Sequence, residues 1–343
     1  MSSFLVNGSS QSSLNAFWLE IAKDYQEDWS SVSTLPFSFS NSGAVVYNNE
    51  LHILGSSISP YYTNHYKWNG SNWTNVSTLP YGFNDNNAVV LNDEIHILGG
   101  GGNATAHYKW NGSNWTNVST LPYGFYNGST VVYNNEIHIL GGYNSSYYKY
   151  HYKWNGSTWS SVSTLPYNFY FGCAVVYNNE IHILGTGYGG SYTTYHYKWD
   201  GSSWTSASTL PYDFYQGSAV NYNNEIHILG SNENNSYYTK HYKWNGSKWN
   251  NVSSLPYEFY KSSALVYHNE LHILGSGVNG NYTKHYSILA GNLIQGYLKQ
   301  NTKIYYPSTS SPITNNLQQI TDGYLVTADG EVKISVNSED LEV

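Results

Sequence analysis

Arginine is absent from this 343-residue chain, and charge of either sign is sparse: charged residues make up 10 %, against about 25 % in an average globular protein. Fourteen lysines face 22 acidic residues, for a net charge of -8. Nucleic acid, whose phosphate backbone calls for clustered Lys and Arg, is therefore not an expected partner, and neither is an anionic membrane surface. A single cysteine, Cys173, rules out an internal disulfide framework, so packing must hold the chain together. No apolar run reaches the roughly 18 residues of a membrane-spanning helix, so no membrane insertion is expected. Residues 1–13 are polar and Ser-rich and lack the basic and apolar segments of a signal peptide, so export by a conventional signal is not expected. Without such a signal, the Asn-x-Ser/Thr triplets at Asn69, Asn75, Asn117, Asn155 and Asn251 read as unmodified.

What the chain has instead is Asn, Ser, Gly and 37 tyrosines, and it has them in a repeat. The phrase from Ala174 to Gly185 (Ala-Val-Val-Tyr-Asn-Asn-Glu-Ile-His-Ile-Leu-Gly) occurs, with small changes, six times. Its histidine falls at His52, His96, His138, His182, His227 and His272, at steps of 44, 42, 44, 45 and 45 residues. A period near 45 is that of propeller blades. A Leu-Pro pair ending at Pro36, Pro80, Pro122, Pro166, Pro211 and Pro256 keeps the same step, as does a His-Tyr pair starting at His65, His107, His151, His196, His241 and His285.

One unit reads as four short antiparallel strands, A to D. Strand A (Ala174 to Tyr177) meets Asn178-Asn179, two residues that tolerate the positive φ of a tight hairpin turn. Strand B (Glu180 to Leu184) alternates, with Ile181 and Ile183 on one side. A loop of variable length leads to strand C (His196 to Trp199), and Asp200-Gly201 is expected to turn it into strand D at Trp204. Four such strands make a blade, and six blades make an all-β propeller. Trp29 is a strand D landmark with no A, B and C before it, while the sixth unit has A, B and C but no D. The strand near Trp29 is therefore expected to complete the sixth blade and close the ring.

The glycine pairs after strand B (Gly99-Gly100, Gly141-Gly142), the Tyr before and Trp after the C–D turn, and the closing Leu-Pro resemble the kelch repeat over residues 25–289. Two departures stand out: the second glycine is Ser56, Thr186, Ser231 or Ser276 in four units, and the basic residue often found after the proline is Tyr or Phe. The second departure removes any inference from kelch proteins that bind acidic peptides through arginine. The wording His-Tyr-Lys-Trp-Asn-Gly-Ser is also similar to kelch modules in tail and host-attachment proteins of bacteriophages infecting Gram-positive bacteria. That resemblance implies a virion component of the tail or surface, binding a host cell-surface glycan or other receptor. The alternative expectation is a structural or protein–protein interaction propeller within a larger assembly.

Three segments follow: an N-terminal extension (1–24), the six-bladed propeller (25–289) and a small β-rich C-terminal appendage (290–343). Residues 14–24 suit either a short helix or a strand. In the appendage Lys303 to Tyr306 reads as a strand, and Tyr324 to Thr327 with Glu331 to Val336 reads as a hairpin turned by Asp329-Gly330. About fifty residues with two or three strands are marginal alone, so this segment is expected to pack on the propeller, on a sister chain or on a larger assembly; the phage resemblance implies that it, or 1–24, docks on other virion proteins.

In this strand order the A–B and C–D turns share one face and the B–C loops and D-to-A crossovers share the other. The first face is nearly the same in every unit; the second is where units differ, so candidate ligand-binding residues are taken from it. From the crossovers these are Asn84, Asp85, Tyr126, Tyr170, Phe171, Tyr215, Gln216, Tyr260 and Lys261. From the B–C loops they are Tyr147, Tyr148, Tyr188, Tyr192, Tyr237 and Tyr238. Tyrosine with Asn, Ser and Gly suits recognition, because a rigid amphipathic ring gives contact area at low entropic cost, and it suits a sugar, which offers a C–H face and hydroxyls.

No catalytic residue, metal or cofactor is expected. The Glu-x-His pairs occur in all six units and so cannot converge on one ion; a blade-to-blade hydrogen bond is their expected role. Cys173 stands where sister units have Ser129, Ser218 and Ser263, which speaks against a cysteine-linked copper site. A carbohydrate-active enzyme would need a carboxylate pair, and Asp85, Asp213, Glu233 and Glu258 lie in different units.

Overall fold

The computed structural model describes residues 29–84, 87–186, 194–233, 236–276, 278, 280–288, 322–327 and 330–335. Six four-stranded antiparallel sheets follow one another along the chain. Blade 1 is Gly43–Tyr47, Glu50–Leu54, Asn64–Trp68 and Trp73–Thr78. Blades 2 to 5 open with Ala88–Leu91, Ser129–Tyr133, Cys173–Tyr177 and Ser218–Tyr222, each first in its sheet order. The inner strand of each blade neighbours that of the next, and that of blade 6 neighbours blade 1, so the sheets close into a ring. Blade 6 takes Ser263–Tyr267, Glu270–Leu274 and Lys284–Ile288 from the end of the repeat and Ser30–Thr34 from its beginning. The last two pair antiparallel, Ser30 opposite Ser287 and Thr34 opposite Lys284, so the expected closure by the N-terminal strand is present.

Local chemistry fixes the turns. Asn178 and Asn179 have φ of 49° and 58°, and their counterparts in every other unit are also left-handed. The C–D turn differs from the two-residue hairpin expected. Trp68 pairs with Trp73, leaving four turn residues, and the Asn69 side-chain oxygen accepts from the backbone N–H of Ser71 and Asn72, both at 2.9 Å. Asp200 does the same for Ser202 and Ser203. Asx side chains mimic a backbone turn, which is why Asn or Asp recurs there.

The apolar core lies between blades. Blades 6 and 1 share Phe39, Leu51, Ile53, Leu265 and Leu274, and equivalent clusters fill the other described gaps. Strand B is buried on both faces, because its histidines are as enclosed as its isoleucines. The two tryptophans of each C–D hairpin are not equivalent: Trp110 is buried, whereas Trp115 is half-exposed and donates its indole N–H to Ser77 of the preceding blade at 3.0 Å. Trp110→Ala is expected to cost about 3–5 kcal/mol and Trp115→Ala about 1–2 kcal/mol. Urea unfolding of the two variants measures the difference, and equal costs would contradict the assignment.

Strand B and C histidines are wired in series. His52 Nδ1 meets His65 Nε2 at 2.8 Å, His65 Nδ1 meets the Ser77 hydroxyl at 2.8 Å, and Ser77 accepts from Trp115 of the next blade. The Glu-x-His histidine therefore bonds within its own blade and reaches the neighbour only through this chain. The same series runs from blade 2 to 3, 3 to 4 and 4 to 5. In blade 6 it passes through Ser33 of the closing strand to Trp73. Blade 5 is the exception: His241 Nδ1, the Ser253 hydroxyl and the Trp29 indole N–H have no partner there.

Residues 28–288 form one compact unit. Asp322–Thr327 and Gly330–Ser335 form a separate antiparallel hairpin. Thr327 pairs with Gly330, so Gly330 belongs to the strand and not to the turn expected for it. The readings for residues 14–24 and Lys303 to Tyr306 lie outside the described residues.

Candidate functional site

The crossovers meet at the propeller axis. Asn41, Asn127, Phe171, Gln216 and Lys261, one from each of five crossovers, have φ of 47°, 50°, 55°, 54° and 50°. A left-handed non-glycine residue costs about 1–3 kcal/mol and persists only where its surroundings hold it. Here an arc of backbone bonds does so: Phe171 N–H donates to Asn127 C=O at 2.7 Å, Gln216 to Phe171 at 2.9 Å, Lys261 to Gln216 at 2.9 Å and Asn41 to Lys261 at 2.6 Å. Asn41 also donates its side-chain N–H to the Asn84 carbonyl at 2.8 Å. Asp85, at the matching position in the remaining crossover, lies outside the described residues.

Each crossover is anchored where strand B ends. In all six units the glycine after Leu is left-handed, and a Cβ there would overlap the carbonyl of the Phe in the next crossover. The departure from a second glycine has a structural account. Ser56, Thr186, Ser231 and Ser276 turn their hydroxyls onto crossover carbonyls: Ser38 at 2.7 Å, Tyr170, Asp213 at 3.0 Å and Glu258 at 2.7 Å. In five units the tyrosine after Leu-Pro donates to the glycine carbonyl, as Tyr123 does to Gly141 at 2.8 Å, while Phe37 takes its place in the first.

On this frame the described aromatic residues pack into groups. A continuous file runs across blades 3 to 5: Tyr143 to Tyr147 (5.0 Å between centroids), Tyr147 to Tyr170 (4.6 Å), Tyr170 to Phe171 (5.0 Å) and Phe171 to Tyr215 (5.2 Å). The structure thus brings together Tyr147, Tyr170, Phe171 and Tyr215 of the expected set, with Gln216 and Lys261 beside them on the axis. Tyr170 is a correction. It was expected on the open surface, but it is 5 % exposed, covered by Tyr147, so it supports the file from below. Tyr126 is half-buried, and its carbonyl accepts from Tyr143 N–H at 2.9 Å.

The remaining expected residues stand apart from the file. Tyr148 stacks on Tyr150 at 4.7 Å beside Tyr123. Tyr238 carries the Lys240 ammonium 3.8 Å from its ring centroid, and Tyr260 lies 5.4 Å from that of Lys261. Tyr188 and Tyr192 lie outside the described residues, and Tyr237 is described in backbone only, paired with Asn232. Tyr143, Tyr150 and Tyr195, which are 39 %, 45 % and 48 % exposed, were not expected; the adjacency of Tyr150 and Tyr195 to the repeated His-Tyr pair was the available signal.

The innermost element of the site is a cavity of about 50 Å³ on the axis, walled by Asn41, Asn127, Ser129, Phe171, Gln216 and Lys261 among others. Gln216 is 6 % exposed, and neither its Oε1 nor its Nε2 has a partner. Asn87, the register equivalent of Ser129 in blade 2, is 1 % exposed and in the same condition. An unsatisfied buried amide costs about 1–3 kcal/mol. Cys173 borders the cavity with its thiol donating to the Gly217 carbonyl at 3.3 Å, and burial pushes its pKa up to about 12, so it is a neutral thiol. Among the described residues no group of three or more His, Cys, Asp and Glu could hold a metal ion.

No family model matches the chain, and no curated protein matches it. Its fold is similar to the solved structure of YjhT, also a propeller, with a TM-score of 0.65 and 17 % identity, over 75 % of this chain and 95 % of that one. At that identity the likeness bears on the fold alone: a six-bladed β-propeller.

Proposed function

We propose that the chain is a non-enzymatic, kelch-type recognition module of a phage virion, whose loop face binds a glycan or other receptor on the host cell surface. The observation that carries the reading is the aromatic file from Tyr143 to Tyr215, confined to blades 3 to 5. A run of aromatic rings packed against one another beside the axis supports a contact site, and rings at successive steps of about 5 Å suit the C–H faces of a sugar chain. The ring topology supports it too, since sixfold redundancy elsewhere leaves individuality to the crossovers and B–C loops. Other virion proteins would engage segment 290–343 or 1–24.

Purified protein is expected to bind wall polysaccharide or cells of a Gram-positive host. Tyr143→Ala with Tyr147→Ala should lower that affinity at least tenfold while moving the melting temperature by no more than about 2 °C, as surface changes do. Unchanged binding in the double variant would remove the site. Stable capture of a virion protein through this face, with no glycan binding, would favour the structural alternative.

A further inference from the structure

We propose that the axial cavity is a subsite for the acetamido group of a neutral N-acetylated amino sugar, an inference that rests on the glycan-binding reading above and deepens it. The aromatic file leads to it, because Phe171 belongs both to the file and to the cavity wall. The cavity measures about 50 Å³. A water-sized atom occupies about 10–15 Å³ on that measure, so the space takes one small group and no sugar ring. An acetamido group, with its four heavy atoms, is of that size.

Hydrogen-bond complementarity selects among groups of this size. Gln216 lines the cavity with an acceptor and a donor both unpartnered. A secondary amide returns one donor and one acceptor. A carboxylate has only acceptors and would leave Oε1 unpaired; an ammonium has only donors and would leave Nε2 unpaired. A hydroxyl supplies both but leaves the space beside the Phe171 ring and Cys173 empty, where the acetamido methyl fits. Lys261, the one charged residue in the described lining, suits the amide oxygen.

The test uses the full chain and four trisaccharides: the β-1,4 trimers of N-acetylglucosamine, glucosamine and glucose, and a uronic-acid trimer, titrated calorimetrically and by saturation-transfer NMR. The N-acetylglucosamine trimer should bind at least about tenfold tighter than the other three, with the strongest saturation on its methyl groups. Gln216→Met keeps side-chain length and removes the amide; it should erase that preference, a loss of about tenfold, without lowering the melting temperature, since no native hydrogen bond is broken. Equal binding of the glucose trimer, tighter binding of the uronic-acid trimer, or a preference intact in Gln216→Met would show that the cavity holds water alone or another group. Each would overturn the subsite while glycan binding through Tyr143 and Tyr147 stands. Failure of wall polysaccharide and all four trimers to bind would remove both.

Discussion

Acidification is expected to unfold the propeller cooperatively, with a midpoint between about pH 4.5 and 6. Burial holds the strand B histidines His52, His96, His138, His182 and His272 at a pKa of about 4, and the strand C histidines His65, His107, His151, His196 and His285 at about 3. His227 lies at about 3, and burial drives His241 well down. An unfolded histidine titrates near 6.5. Every one of these groups therefore binds fewer protons folded than unfolded, so their contribution to stability is complete above about pH 6.5 and is lost as pH falls toward the folded values. Geometry supplies the reason.

The Trp115 indole N–H donates to Ser77, whose own proton then goes to His65 Nδ1; His65 Nε2–H donates to His52 Nδ1. In the five complete series each ring then accepts at Nδ1, so a second proton there must break one of these bonds; in blade 5 His241 Nδ1 is buried without a partner. Twelve histidines each losing about 1 kcal/mol by pH 5.5 amount to as much as the whole stability of an ordinary domain, about 5–15 kcal/mol. The five Lys–Glu pairs between strands B and C, at 2.8–2.9 Å but on the partly exposed surface, are each worth at most about 1 kcal/mol and do not offset this. Tryptophan fluorescence against pH at fixed ionic strength measures the transition. An intact fold at pH 4 would contradict it.

The second large effect is expected from a single methyl group. Gly141 has φ of +65°, and a Cβ there would overlap the Phe169 carbonyl oxygen, which already accepts from Gly142 N–H at 2.7 Å. Gly141→Ala must move the crossover that holds Phe169, Tyr170 and Phe171, and should cost at least about 3 kcal/mol, or about 6–12 °C in melting temperature. Gly156 is the control. Its φ is +97° with nothing within 4 Å of the added Cβ, so Gly156→Ala carries only the penalty of a left-handed non-glycine residue, about 1–2 kcal/mol. Similar melting temperatures for the two variants would mean that the close approach at Gly141 is not what holds the crossover.

The architecture was legible because its determinants are local and repeated. Asn-Asn before Glu-x-His specifies a left-handed turn wherever it occurs, and Trp29 without a preceding A, B and C pointed to the missing strand of blade 6. Other features depend on what the ring brings together. The inequality of Trp110 and Trp115 is set by the neighbouring blade, since only the second tryptophan reaches across to a serine. The burial of Tyr170 follows from Tyr147, contributed by a loop of the preceding blade. Phe171, Gln216 and Lys261 in left-handed conformation run against local preference and are held by partners 44 or 45 residues away. The histidine series was hidden by B–C loops of unequal length, which vary the spacing between bonded rings from 11 to 14 residues.

Amide hydrogen exchange of the full chain with and without bound wall polysaccharide tests most directly where recognition resides. Protection is expected in the loop around Tyr143 to Tyr148 and in the crossovers around Tyr170-Phe171 and Tyr215-Gln216, with the opposite face unchanged. Protection confined to the Asn-Asn turns and the Asx turns at Asn69, Asn111 and Asn155 would place the ligand on the repeated face and contradict the assignment.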